Sequence, residues 1–231
     1  MGPSTLGAAI VIARKDLTIE FRTRTAFFSA LVFALLAIVI FFFAWDPTAI
    51  PAQDLAPGVL WVVFAFSGLL GLQRSFGVEQ ADRAFDAILV SAAPRESIYI
   101  GKALANLLFV VAVQAIAIPA VALFYNVGFG ADGSSRALAL AAIAALAAFG
   151  LVAVGTLFTA MTVNTRLAEL LLPVLALPFF VPIVMPAAQA TARLLAGRPI
   201  SEVAGWLKLL AAFDLVFVVA CVVAFPFTLE E

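Results

Sequence analysis

Side chains able to do chemistry are scarce here, and the densest group lies between residues 73 and 101. That polar stretch holds Glu79, Asp82, Asp86 and Glu96, four of the fourteen acidic residues. Within it, Val78, Phe85, Ile88 and Leu89 fall on one helical face, with Glu79, Asp82, Arg83 and Asp86 on the other. Glu79 and Arg83 are spaced for an i,i+4 ion pair, and Pro94 is expected to end the helix. A two-faced helix of this kind seats on a soluble domain or a membrane surface, or else merely joins two spans through solvent. A second candidate is Asp214, an acid inside an apolar run with no basic residue within one turn. Ionisable groups in such runs are costly and usually functional. The functional reading is a polar lining or inter-helix contact; the plain one is a carboxylate snorkelling near Lys208.

Other polar residues suit packing. Arg166 and Glu169 are spaced for a local ion pair. Asn106 and Gln114 are placed to hydrogen-bond between helices, and Ala141, Ala144, Ala145 and Ala148 suit close helix approach. Several reaction classes are excluded by what is missing. There is no phosphate-binding loop of the form G-x-x-x-x-G-K-[ST] and no dinucleotide fingerprint after a strand. With no histidine and a single cysteine, neither zinc ligation nor axial haem ligation by imidazole is available. Met161, Met185 and Cys221 stand isolated in apolar surroundings. The chain is expected not to be an enzyme and to bind no cofactor or metal directly.

The elements that must position these residues follow from composition. Of 231 residues, 65% are apolar and 12% charged, whereas soluble domains average about half and a quarter. Such a chain needs lipid as part of its solvent. The stretches 26–44, 55–72, 102–125, 137–161, 167–188 and 206–227 read as transmembrane helices. The second has an irregular start at Pro57-Gly58. The fifth carries Pro173, Pro178, Pro182 and Pro186, so a kinked or broken span is expected, with a re-entrant hairpin as the alternative. Residues 1–25 read as an amphipathic interfacial helix, not a cleaved signal peptide. Leu6, Ile10, Ala13, Leu17 and Phe21 form its stripe, and Lys15 and Arg22 face away. With the N-terminus inside, Arg14, Lys15, Arg22, Arg24, Arg74, Arg83, Arg95, Lys102 and Arg166 lie in the cytoplasm. Arg136, Arg193, Arg198 and Lys208 lie outside, so nine against four places both termini in the cytoplasm. The fold class is all-α, a single polytopic membrane domain.

Three stretches resemble the cytochrome c maturation protein B, or haem exporter B, family of permease-type subunits. They are Ala56-Pro57-Gly58-Val59-Leu60-Trp61-Val62; Leu72-Gln73-Arg74-Ser75-Phe76 through Pro94 to Gly101-Lys102; and Asn164-x-Arg166-x-x-Glu169-x-Leu171-Leu172-Pro173 with Leu177-Pro178-x-x-Val181-Pro182. Together and in order they place nearly the whole chain, including the six-span layout. One departure is Arg83, where the family's loop usually has glycine.

The resemblance implies a type-2-exporter-like permease of the ATP-binding-cassette class, in a bacterial inner membrane. Its ATPase would be a separate cytoplasmic subunit. The loop 73–101 would carry the coupling helix that seats on that ATPase, through Phe76, Glu79, Asp82, Arg83, Phe85, Asp86 and Leu89. The further implied partners are a Trp-rich haem-handling membrane subunit, a periplasmic haem chaperone, membrane lipid and a second copy of the chain; no nucleic acid is expected. Haem would be handled by partners and ATP bound by the ATPase. Alternatives are a type-2 exporter of a lipid, drug or polysaccharide, or a non-transporting scaffold. An ion-coupled carrier fits less well, since no internal repeat is visible and Asp214 is a lone acid.

Overall fold

The computed structural model describes residues 5–81, 94–128, 134–162 and 168–229. Among these, seven α-helices follow one another without a strand. They are α1 (Thr5–Thr23), α2 (Thr25–Ala44), α3 (Ala52–Ala81), α4 (Arg95–Phe124), α5 (Ser134–Thr162), α6 (Ala168–Leu195) and α7 (Ile200–Ala224), with a 3-10 turn at Phe225–Leu229. From α2 onward all six are long and apolar enough to cross a membrane. The physical reason is plain. In hydrocarbon every backbone N–H and C=O must be satisfied within the segment, and about 20 residues of helix span about 30 Å. The chain is therefore a multi-pass membrane protein.

The spans match those expected from the sequence, with informative differences at their ends. α3 begins at Ala52, upstream of Pro57-Gly58, with Asp54 complementing the dipole of its first turn. It then runs unbroken to Ala81, eight residues past the apolar part that ends at Gln73. The segment expected as a separate loop helix from residue 73 therefore starts as a continuation of α3. At the other side, Pro94 sits at the N-cap of α4 and Arg95 opens that helix. The proline-rich fifth span is one continuous helix, α6, with all four prolines inside it. The hairpin alternative falls away.

Helix α1 does not lie free. Its Ala8, Ala9, Ile12 and Ala13 are buried against the first turns of α4. Gly101 of α4 makes this approach possible: a Cβ there would stand 2.7 Å from the Ala9 carbonyl oxygen and 2.8 Å from Ile12 Cβ. Next to it, Lys102 is fully enclosed, its Nζ 3.3 Å from Asp16 Oδ2. Ala13, expected on the lipid stripe, thus belongs to the packed face, while Leu6, Ile10 and Phe21 remain exposed. The turn into α2 is made by Arg24 at φ 55°. Glu20 Oε1 accepts a 2.8 Å bond from the Phe27 N–H and so satisfies one donor of α2's first turn. In the α2–α3 connection, Asp46 Oδ1 accepts from Thr48 N and Oγ1 at 2.9 and 2.6 Å. These bonds hold that carboxyl below its usual range.

The same end of the bundle gathers the last residues of the described chain. Tyr99 of α4 packs on Phe225, ring centroids 5.2 Å apart, and Arg95 Nη1 donates to the Pro226 carbonyl at 3.4 Å. Helix α1, the start of α4 and the 3-10 turn after α7 therefore share one end. As a test of that foot, Lys102→Met leaves Asp16 with only the partly exposed Lys15, 2.9 Å from its Oδ1. The expected cost is about 1–3 kcal/mol, read as a lower melting temperature in detergent. Unchanged melting would show that the pair holds nothing in place.

Candidate functional site

The bundle interior is mostly small and aliphatic, and some of its few polar groups pair between helices. Asn106 Nδ2 on α4 donates to Thr156 Oγ1 on α5 at 3.2 Å, the inter-helix role expected for Asn106. Trp61 Nε1 on α3 donates to Thr191 Oγ1 on α6 at 3.0 Å, and Thr191 in turn donates to the Ala187 carbonyl at 2.8 Å. Tyr99 OH donates to the Ala153 carbonyl at 3.0 Å. The bonds from Asn106, Trp61 and Tyr99 each tie two spans, as such polar groups commonly do in lipid, whereas Thr191, Ser67, Thr159 and Thr162 donate to carbonyls of their own helices. Gln114 Nε2 and both oxygens of Asp214 are buried with no hydrogen-bond partner among the described residues.

Asp214 occupies the middle of α7 and is only 3% exposed. It fills a niche left by Gly150 near the middle of α5: a Cβ on Gly150 would overlap Asp214 Oδ1, with Ile183 Cδ1 of α6 3.1 Å away on the other side. Lys208 is exposed on the same helix, and six residues of helix turn the two onto different faces. The carboxyl therefore does not snorkel toward it. An unsatisfied polar group in such a setting costs about 1–3 kcal/mol or more. It marks either a contact made in another arrangement of the helices or a role the resting packing does not display.

Small residues set the α5 contacts, with a sorting that alternation alone does not show. Ala144 and Ala148 lie in the packed face, while Ala141 and Ala145 face outward. Of the segment expected to couple to a partner, Phe76 and Glu79 belong to the last turns of α3. Asp82, Arg83, Phe85, Asp86 and Leu89 lie outside the described residues, as does Arg166, and with it the Arg166–Glu169 pair. The end of α3 and the start of α4 bracket that segment. Two features escaped sequence reasoning altogether: the Asp16–Lys102 pair, whose members stand 86 residues apart, and the Gly150 niche. The only sequence signal for either was a lysine at the head of an apolar span and a glycine in an alanine-rich one. Among the described residues, no group of three or more potential ligands is placed to hold a metal ion.

Comparison with known proteins places these features in a lineage. A family model described as CcmB protein matches residues 7–231. Heme exporter protein B of Paracoccus denitrificans (strain Pd 1222) is 32% identical over 186 residues, covering 79% of this chain and 82% of the relative. The protein of that name from Bradyrhizobium diazoefficiens (strain USDA 110) is 29% identical over 190 residues, covering 82% and 83%. The one from Pseudomonas aeruginosa (strain PAO1) is 26% identical over 208 residues, covering 90% of each chain.

The niche makes a direct prediction. Gly150→Ala should collide with the Asp214 carboxyl and cost about 1–3 kcal/mol, and Asp214→Ala in the same chain should restore most of it. Detergent melting of both single variants and the double variant measures the coupling, expected at about 0.5–3 kcal/mol. Strictly additive losses would mean that the two positions do not touch.

Proposed function

The chain belongs to the CcmB protein family, and from that premise we propose that it is the membrane subunit of a haem export system serving cytochrome c maturation. The observation that carries the reading is a family match over nearly the whole length of a chain with six membrane-crossing helices. Relatives of similar length are named heme exporter protein B. On this reading the chain is not itself catalytic. ATP is bound and hydrolysed by a separate cytoplasmic ATPase subunit, and haem is presented by a Trp-rich membrane subunit to a periplasmic chaperone. With no histidine in the chain, an imidazole ligand to haem iron must come from a partner, which favours a mechanical role here.

The mechanics follow from α3. A helix that is continuous from the membrane to Ala81 passes force along its axis without a hinge, and α3 packs on α2, α4, α5 and α6. A push delivered to residues 82–93 by a closing ATPase would therefore reach most of the bundle through one rigid lever. The expected coupling set is Phe76, Glu79, Asp82, Arg83, Phe85, Asp86 and Leu89. In this arrangement α1, residues 82–93 and residues 225–229 face the cytoplasm, in keeping with nine basic residues against four. α1 lies in the membrane interface, the whole chain forms a single permease domain in the bacterial inner membrane, and two copies complete the transporter.

Two experiments test this. Charge reversal of both Asp82 and Asp86 to Lys should abolish co-purification of the ATPase while membrane insertion is kept; undiminished co-purification would sink the coupling assignment. Recovery of an ATPase without any haem-handling protein would instead favour an exporter of another substrate. Asp214→Asn should lower cytochrome c assembly several-fold at unchanged protein level, and normal assembly would return Asp214 to a packing role.

A further inference from the structure

Where α1 turns into α2, the elbow leaves a cavity of about 500 Å³ open on one side. Phe21 of α1, Phe27 and Phe28 of α2, and Leu108, Phe109 and Ala112 of α4 wall it. Phe27 and Phe109 meet edge to face at 6.3 Å. Phe21 is 73% exposed and Leu108 56% exposed, so the cavity opens outward along the span. Its volume falls within the range of about 300–1,000 Å³ typical of small-molecule sites. A helix about 10 Å across would fill it within about one turn, so it suits a flexible chain better than a protein segment.

One end of this apolar cavity is polar and asymmetric in charge. Glu20 and Arg24 line it. The Glu20 carboxylate is already engaged by the Phe27 N–H at the positive end of α2's dipole, which offsets its charge. Arg24 is held by its backbone turn and by a 3.3 Å bond from Nε to the Phe21 carbonyl. Its two terminal nitrogens have no partner among the described residues, and Arg22 stands exposed beside it. The rim therefore presents an exposed guanidinium, oriented by its bond to Phe21, above an apolar slot, at the level where an interfacial helix meets a span. A guanidinium binds phosphate oxygens in a bidentate manner, and basic residues at this level attract anionic lipids.

From this geometry we infer that the α1–α2 elbow is a binding site for one anionic phospholipid. Its phosphate sits on Arg24, and one acyl chain lies between Phe21, Phe28, Leu108 and Phe109. Occupancy would brace α1 against α2 and α4 at the end of the bundle where the partner-facing segment begins. The site stands whether or not the chain works in haem export.

Native mass spectrometry of the detergent-purified full chain, challenged with equal dioleoylphosphatidylglycerol and dioleoylphosphatidylcholine, tests it. The wild type should retain one phosphatidylglycerol with about tenfold preference, because phosphatidylcholine offers Arg24 the same phosphate but brings a quaternary ammonium that the Arg22–Arg24 rim repels. Arg24→Gln, at an exposed position that leaves packing alone, should retain both lipids equally. Ala112→Trp, which fills the slot from an exposed position, should lose both at an unchanged melting temperature. No preference in the wild type, or a preference that survives Arg24→Gln, overturns the inference. So does displacement of the phospholipid, one for one, by ferric protoporphyrin IX, which would make the elbow a haem site.

Discussion

A lysine enclosed at the head of a membrane-crossing helix must be paired, and the Asp16–Lys102 bridge is the constraint from which the rest of this architecture follows. The carboxylate comes from α1 and the ammonium from α4, 3.3 Å apart with Lys102 wholly buried. Burying that ammonium without a carboxylate would cost several kcal/mol, which favours α1 lying along the first turns of α4. Gly101 and the Ala8–Ala9–Ile12–Ala13 face make that approach close enough for the pair to form. Once α1 is pinned, the direction of its exit into α2 is set. Arg24 takes its left-handed conformation, Glu20 reaches α2's first turn, and the apolar elbow cavity is what remains between the three helices.

Away from that foot, the bundle is held by shape more than by polar contacts. Lipid offers no hydrophobic drive between spans, so small residues and sparse hydrogen bonds must supply the packing. The buried alanines of α5 and the Trp61–Thr191 and Asn106–Thr156 bonds fit that pattern. Asp214 does not. A carboxyl wedged against a glycine midway along α7, with no partner for either oxygen among the described residues, weakens the α5–α7 contact it sits in. An interface carrying an unsatisfied group is a natural place for two helices to part during a transport cycle.

On the proposed reading, the work of a chain with no histidine, no phosphate loop and one cysteine is the movement of helices. Continuity of α3 from the membrane to Ala81 is the feature that makes such movement transmissible. The six-helix membrane fold and the family assignment together make sense of the missing catalytic groups.

Most of the architecture was legible in the sequence because lipid imposes a simple rule: a span is an apolar run of sufficient length, and each of the six runs became one helix. The membership of Asn106 in an inter-helix bond was legible too, while Gln114, read the same way, leaves its Nε2 without a partner among the described residues. Helix ends were less so. Gln73 to Ala81 look like loop by polarity yet continue α3, because a helix leaving the membrane keeps its own hydrogen bonds wherever its polar face meets water. The four prolines of α6 suggested a break, but a membrane helix tolerates freed carbonyls that neighbouring spans shelter. What only the tertiary structure decided were the relations between residues far apart in the chain. The pairing of Asp16 with Lys102, the seating of Asp214 on Gly150 and the facing of Ala144 rather than Ala141 depend on which helix lies beside which. Periodicity defines a face on one helix; the neighbour that meets it is chosen by the packing of all of them.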